Sequence, residues 1–205
     1  SNNTAVGYQA GNANTTGTGL TAIGYQAGLA NTTGQYSTFV GFGAGVANTT
    51  GRNVAIGAAS LSTNTTGTLN TALGDQALYF NSTASYNTGV GYQAGYGITT
   101  GNYNTAVGNH ALYAAAGDQN AAFGHYALAV NTGTQNTAIG ANSLQSNTSG
   151  NYNTALGQSA LQANTTASNN TAVGYQAGYT NSAGTQNTFL GYQAGYLATN
   201  SYNCF

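Results

Sequence analysis

The sequence predicts an all-β fold, a parallel β-solenoid (β-roll) of about twelve turns of 16–17 residues each. Three observations predict it. A glycine recurs at Gly7, Gly24, Gly41, Gly57, Gly74, Gly91, Gly108, Gly124, Gly140, Gly157, Gly174 and Gly191, at spacings of 16 or 17 residues. The residue before each of these glycines is apolar in every copy and mostly β-branched, which suits a strand. Between copies lie Asn-Thr-Thr-Gly runs, as at 14–17 and 31–34, and these are turn residues. No 3.6-residue periodicity supports a helix.

Counting each recurring glycine as position 0, the elements follow in order. Positions −4 to −1 read Asn-Thr-Ala-Val in the consensus and predict a short strand. Asn fills −4 in ten copies, with Leu20 and Ser37 as the exceptions; Thr fills −3 in ten, with Val54 and Ala121 as the exceptions. The apolar residue at −1 (Val6, Ile23, Val40 and their equivalents) is expected to stack in a buried column. The glycine at 0 implies positive φ, or a backbone approach too close for a Cβ. Positions +1 to +4 read Tyr-Gln-Ala-Gly and predict a second extended piece. Position +3 is Ala in ten copies and Ser in two, Ser60 and Ser143, which implies a tight internal contact. Asn returns at +7 in nine copies. Columns of Asn and Thr in a parallel stack are expected to form amide and hydroxyl ladders.

One correlation links two positions. Where +4 is Gly, +1 is aromatic, as in Tyr8 with Gly11 and Phe42 with Gly45. Where +4 is Leu, +1 is not aromatic, as in His125 with Leu128. The expectation is that ring and leucine compete for one volume.

Composition narrows function. Arg52, Asp75 and Asp118 are the only charged side chains in 205 residues. Without a basic patch the usual electrostatic route to nucleic acid is closed. No apolar run approaches the ~20 residues of a membrane-spanning helix, so membrane insertion is not expected. His110 and His125 fall in different columns, at +2 and +1, and no paired carboxylates or nucleophile–base spacing accompanies them. The chain is therefore expected to be no enzyme and to need no cofactor or metal.

The run Asn-Thr-Ala-Val-Gly-Tyr-Gln-Ala-Gly, at 3–11 and again at 170–178, resembles repeats of phage tail-fibre proteins and bacterial surface proteins. Ala22-Ile23-Gly24, Ala55-Ile56-Gly57 and Ala138-Ile139-Gly140 are similar to the Ala-Ile-Gly repeats of trimeric autotransporter adhesin heads. The likeness covers essentially the whole chain, although the adhesin heads have shorter turns and a charged stalk. It implies a left-handed roll, three chains side by side, and a place outside a cell or on a virion. The function implied is a structural fibre or adhesin shaft acting in attachment to a host-surface glycan or receptor. The competing readings are a filament subunit that stacks end to end and a glycan- or ice-binding solenoid.

Candidate contact residues follow from these readings. A repeat with so thin a core predicts that Phe39 and Phe189, at −2, are buried between chains of a homo-oligomer. The array occupies 1–205, opens with Ser1 at −6, and closes with a truncated thirteenth copy at 202–205. There Tyr202, Cys204 and Phe205 take positions −5, −3 and −2 and are candidates for end-to-end assembly. Tyr79, Tyr96, Tyr113, Tyr179 and Tyr196, all at +5, are candidates for stacking on glycans or for packing between chains. Nine Asn-X-Ser/Thr sequons occur, seven of them in the +7 turn column, and the repetition of the turn motif accounts for those.

Overall fold

A computed structural model describes residues 2–114 and 117–205; Ser1 lies outside the described residues. The chain forms two compact units, Ser1–Tyr103 and Asn104–Phe205. The first holds β1 (Thr4–Val6), β2 (Thr21–Ile23), β3 (Thr38–Val40), β4 (Val54–Ile56), β5 (Thr71–Leu73) and β6 (Thr88–Val90). The second holds β7 (Thr105–Val107), β8 (Ala121–Phe123), β9 (Thr137–Ile139), β10 (Thr154–Leu156), β11 (Thr171–Val173) and β12 (Thr188–Leu190). Within each unit every strand pairs in parallel with the next, in exact repeat register: Thr21 opposes Thr38, Ala22 opposes Phe39 and Ile23 opposes Val40. The architecture is a parallel β-solenoid, one three-residue strand per repeat.

The rest of each turn is not extended. Residues at +2 and +4 take the left-handed conformation in all twelve copies, whether they are glycine or not: Gln26 has φ 55, Gly28 58, Leu61 52 and Leu128 51. These left-handed pairs bend the backbone so sharply that the expected second strand becomes a corner. The corner's backbone groups are satisfied between turns. Gln26 N donates to Tyr8 O at 2.8 Å and Leu61 N donates to Ala77 O at 2.9 Å. The glycine at 0 is needed on two grounds. Gly7 has φ 128, and a Cβ there would lie 2.5 Å from the carbonyl oxygen of Gly24 on the next turn.

The strand expectation fails in one particular. The −1 column faces outward: Ile23 is 39% exposed and Leu190 68%. The side chain that points inward is at −2, where Ala22, Ala55, Ala72 and Ala106 are fully buried. A three-residue strand offers one inward position flanked by two outward ones. The interior behind it is narrow, so alanine fills it and the β-branched residue goes outside.

The shared-volume expectation fails as well. Leu61, Leu78, Leu112, Leu128, Leu144 and Leu161 at +4 are buried, while the rings at +1 lie outside, exposed. The partners of the +4 glycines are different residues. Phe39 is wedged between Gly28 and Gly45, and Phe189 between Gly178 and Gly195. Leu20 crowds Gly11, and Leu78 with Ile98 crowds Gly95. A glycine stands at +4 where another large side chain enters the core; a leucine stands there where none does. Phe39 and Phe189 are accordingly fully buried inside their own chain, not held between chains.

Polar ladders line the remaining interior. Asn70 Nδ2 donates to Ala84 O at 2.8 Å, and its Oδ1 accepts from Asn87 N at 2.9 Å; the −4 asparagines repeat this along each unit. At +7, Asn64 donates to Asn48 Oδ1 at 2.7 Å and Asn81 to Asn64 Oδ1 at 2.8 Å. Asn136 joins the two ladders through Asn131 Oδ1 at 3.3 Å. Each amide both donates and accepts, so one side chain serves two turns. The pattern lapses on two turns, where the buried Asn14 Nδ2 and, farther along, Asn164 Oδ1 and Asn170 Nδ2 have no partner.

Candidate functional site

With the interior filled by these ladders, what the chain offers a partner is its outer surface. The strands present two outward columns on one face of the sheet, threonine at −3 and aliphatic residues at −1. Register keeps each column in line, so Val54 aligns with Thr71 and Ile56 with Leu73. The result is a regular face that is half hydroxyl and half hydrocarbon, with contiguous exposed apolar surface. A water-ordering face would want threonine in both columns, and this face has it in one.

Aromatic residues form axial stacks of their own. Tyr8, Tyr25 and Phe42 at +1 stack with centroids 5.4 and 5.0 Å apart, and Tyr175 stacks on Tyr192 at 5.4 Å. At −5, Tyr86 stacks on Tyr103 at 4.8 Å. Unlike these exposed rings, the +5 tyrosines named as glycan candidates are half-buried. Tyr79 stacks on Tyr96 at 5.4 Å and Tyr179 on Tyr196 at 5.0 Å, while Tyr113 meets His110 edge-on at 4.9 Å. Stacked rings turn their faces to each other and only their edges to solvent. Sugar stacking needs a free face, so these ladders are poor platforms for it.

The few ionisable groups are dispersed. Arg52 lies over the Tyr36 ring at 5.2 Å, beside a shallow notch of about 410 Å³ lined by Thr33, Gln35, Thr68 and Leu69. Its turn is one residue shorter than most, and there Gly51 at φ 99 takes the bend. His110 stacks on Tyr126 at 4.9 Å, and Tyr126 meets His125 edge-on at 4.4 Å. Burial first, and then the nearby His125, push the His110 pKa below the ordinary imidazole value. No group of three or more metal-ligating side chains occurs among the described residues. No helix among them is long and apolar enough to cross a membrane.

The closing residues take the positions that their sequence assigned. Cys204, exposed and free, opposes Thr188 in parallel register. Phe205 stacks on Phe189 at 5.8 Å, and Asn203 N donates to Asn187 Oδ1 at 2.8 Å, extending the −4 ladder. Tyr202 N donates to Thr185 O at 3.0 Å. The turn-column sequons prove to be interior: Asn31, Asn48, Asn64, Asn81, Asn147 and Asn164 are fully buried, with their amides engaged. The recurrence of Asn at +7 is the sequence signal for such a ladder; the sequon by itself is not, since a buried ladder Asn and a glycosylated surface Asn share one motif. No protein-family model, curated protein or solved structure matches the chain.

Proposed function

We propose that the chain is a shaft segment of an extracellular or virion-borne fibre, a structural protein acting in attachment rather than an enzyme. The observation that carries this reading is the investment of both buried polar columns in hydrogen bonds between turns. Such an interior makes a stiff support and leaves little room for a substrate. Copies associate side by side, three together as the resemblance implies, through the outward threonine–aliphatic face. That face is regular, uncharged apart from its edges, and too apolar to be left to water. A host-surface glycan or receptor is the partner at the far end of such a fibre.

The mass of the native particle tests this. A discrete trimer supports the shaft. Replacing Ile56 and Leu73 with lysine puts two charges on the contact face, and that variant is expected to sediment as a monomer that keeps its β-sheet spectrum. A wild-type chain that is monomeric at nanomolar concentration would refute side-by-side association. An open-ended distribution of masses would favour the alternative, a filament subunit stacking end to end.

A further inference from the structure

The axial tyrosine stacks hold pairs of phenols from consecutive turns at close range. Tyr86 and Tyr103 lie 4.8 Å apart with their planes 9° from parallel, Tyr179 and Tyr196 5.0 Å apart at 3°, and Tyr175 and Tyr192 5.4 Å apart at 16°. Each pair is 17 residues apart in the chain. We propose that these pairs are sites of oxidative cross-linking, at which a one-electron oxidant such as a haem peroxidase with hydrogen peroxide joins consecutive turns through dityrosine.

The chemistry closes as follows. The oxidant takes one electron from each of two stacked phenols, and each hydroxyl proton leaves to solvent. The two phenoxyl radicals form a carbon–carbon bond between ring carbons ortho to their oxygens. The hydrogen on each joined carbon then passes to its own oxygen and restores the phenol. Two electrons and two protons have left, and one hydrogen peroxide takes them up as two waters. Holding both rings in place raises their effective concentration far above that of a partner on another molecule. The rings at −5 and +1 sit on the surface, where an oxidant reaches them and where an edge can tilt to bring ortho carbons together. The bond would fasten one turn of the solenoid to the next without disturbing the ladders beneath. It extends the structural reading, but its chemistry depends only on the stacks.

The surface supplies its own control. Tyr103 and Tyr152 are both 58% exposed and both stand at −5. Tyr103 has Tyr86 on the neighbouring turn; Tyr152 has Gln135 and Asn169 on its two sides. Oxidation of the full-length chain by peroxidase and hydrogen peroxide, over a range of dilutions, is followed by digestion and mass spectrometry. A Tyr86–Tyr103 link is expected at a yield independent of protein concentration, with Tyr152 entering links only as concentration rises. Tyr103→Phe should abolish that link and leave the link between the exposed Tyr175 and Tyr192 intact, because phenylalanine keeps the stack, as Phe42 does on Tyr25. The proposal is overturned if Tyr152 is linked as often as Tyr86 at every dilution. It is also overturned if no dityrosine forms under conditions that couple free tyrosine. Neither result would bear on the mass of the native particle, so the fibre reading stands or falls separately.

Discussion

Replacing Phe39 is the sharpest test of how the core is filled. Its ring is fully buried and wedged between Gly28 and Gly45. A Cβ on Gly28 would come within 2.7 Å of its Cδ2, and one on Gly45 would meet Cδ1 and Cε1. Phe39→Ala should cost about 3–5 kcal/mol, transfer and cavity terms together. Gly45→Leu alone drives a side chain into the ring, and overpacking costs about 1–3 kcal/mol. It also places leucine at φ 57, a further ~1–2 kcal/mol. Combined, the two changes recreate the arrangement of the following turn, where Ala55 at −2 accompanies Leu61 at +4. The double variant should then lose only the left-handed penalty and a packing mismatch, so the coupling energy should be favourable by the cavity and overpacking costs together, about 4–8 kcal/mol less that mismatch. Urea unfolding followed by far-ultraviolet circular dichroism measures it, with hydrogen exchange at the affected turns guarding against partial unfolding of the array. Effects that add to within about 0.5 kcal/mol would refute the claim that ring and leucine fill one site.

Other predictions follow from the same geometry. At Leu128, φ 51 should invert the usual ranking: Leu128→Gly should unfold at higher urea than Leu128→Ala by about 1 kcal/mol, and adding His125→Tyr should restore nothing, because that ring points outward. Asn70→Ala removes the acceptor of the buried Asn87 N–H and one of the two donors to the Ala84 carbonyl, which keeps Asn81 Nδ2, and should cost about 1–3 kcal/mol by the same assay. His110 has its pKa lowered in the folded chain, so its contribution to stability is complete above the unfolded value of 6.5 and is lost as pH falls through the folded value. The urea midpoint should therefore decline as pH falls from 6.5 through the lower folded value, and His110→Gln should flatten the decline. Secreted from a eukaryotic cell, folded protein should carry no sugar at Asn64 or Asn147, whereas the exposed Asn169 accepts it; site mapping by mass spectrometry decides.

Much of this fold is legible in the sequence because a solenoid repeats its evidence. The period, the strand, the asparagine ladders and the register of the closing residues all follow from columns of like residues. Which strand residue faces inward does not follow. Val6 and its equivalents are apolar in every copy, and so is −2, where alanine, phenylalanine and Gly89 alternate. Apolar content could not separate them; the narrowness of the interior, visible only in three dimensions, does. The left-handed corners at +2 and +4 were hidden for a different reason. Gln, Ala, His and Leu occupy them, and none of these announces positive φ as glycine does. The ring–leucine correlation was real, but its cause lay at −2, −4 and +7, one turn or several residues away. The candidate surfaces were legible only in part, since a +5 tyrosine with a face free for a sugar and one that stacks on its neighbour read alike.

The composition itself becomes explicable once every side chain is known to sit above a counterpart from the next turn. Rungs of a parallel sheet are ~4.8 Å apart, and two like charges at that spacing repel by about 0.9 kcal/mol even in water, more where solvent is partly excluded. A charged residue repeated in one column would pay this at every step. Asparagine, glutamine, tyrosine and threonine avoid it, because each finds a favourable partner in its own copy. Gln93 donates to Gln76 Oε1 at 2.6 Å and Gln193 to Gln176 Oε1 at 2.8 Å, on the outer surface where Lys or Glu would be ordinary. The charges that do occur obey the same rule. Arg52 stands between Tyr36 and Leu69 in its column, and Asp75 between Ala58 and Tyr92. The two histidines, offset by one column, are still close enough for His125 to depress His110. Near-zero charge is thus a condition of exact repetition at this pitch, and it makes a face that other copies can approach without repulsion.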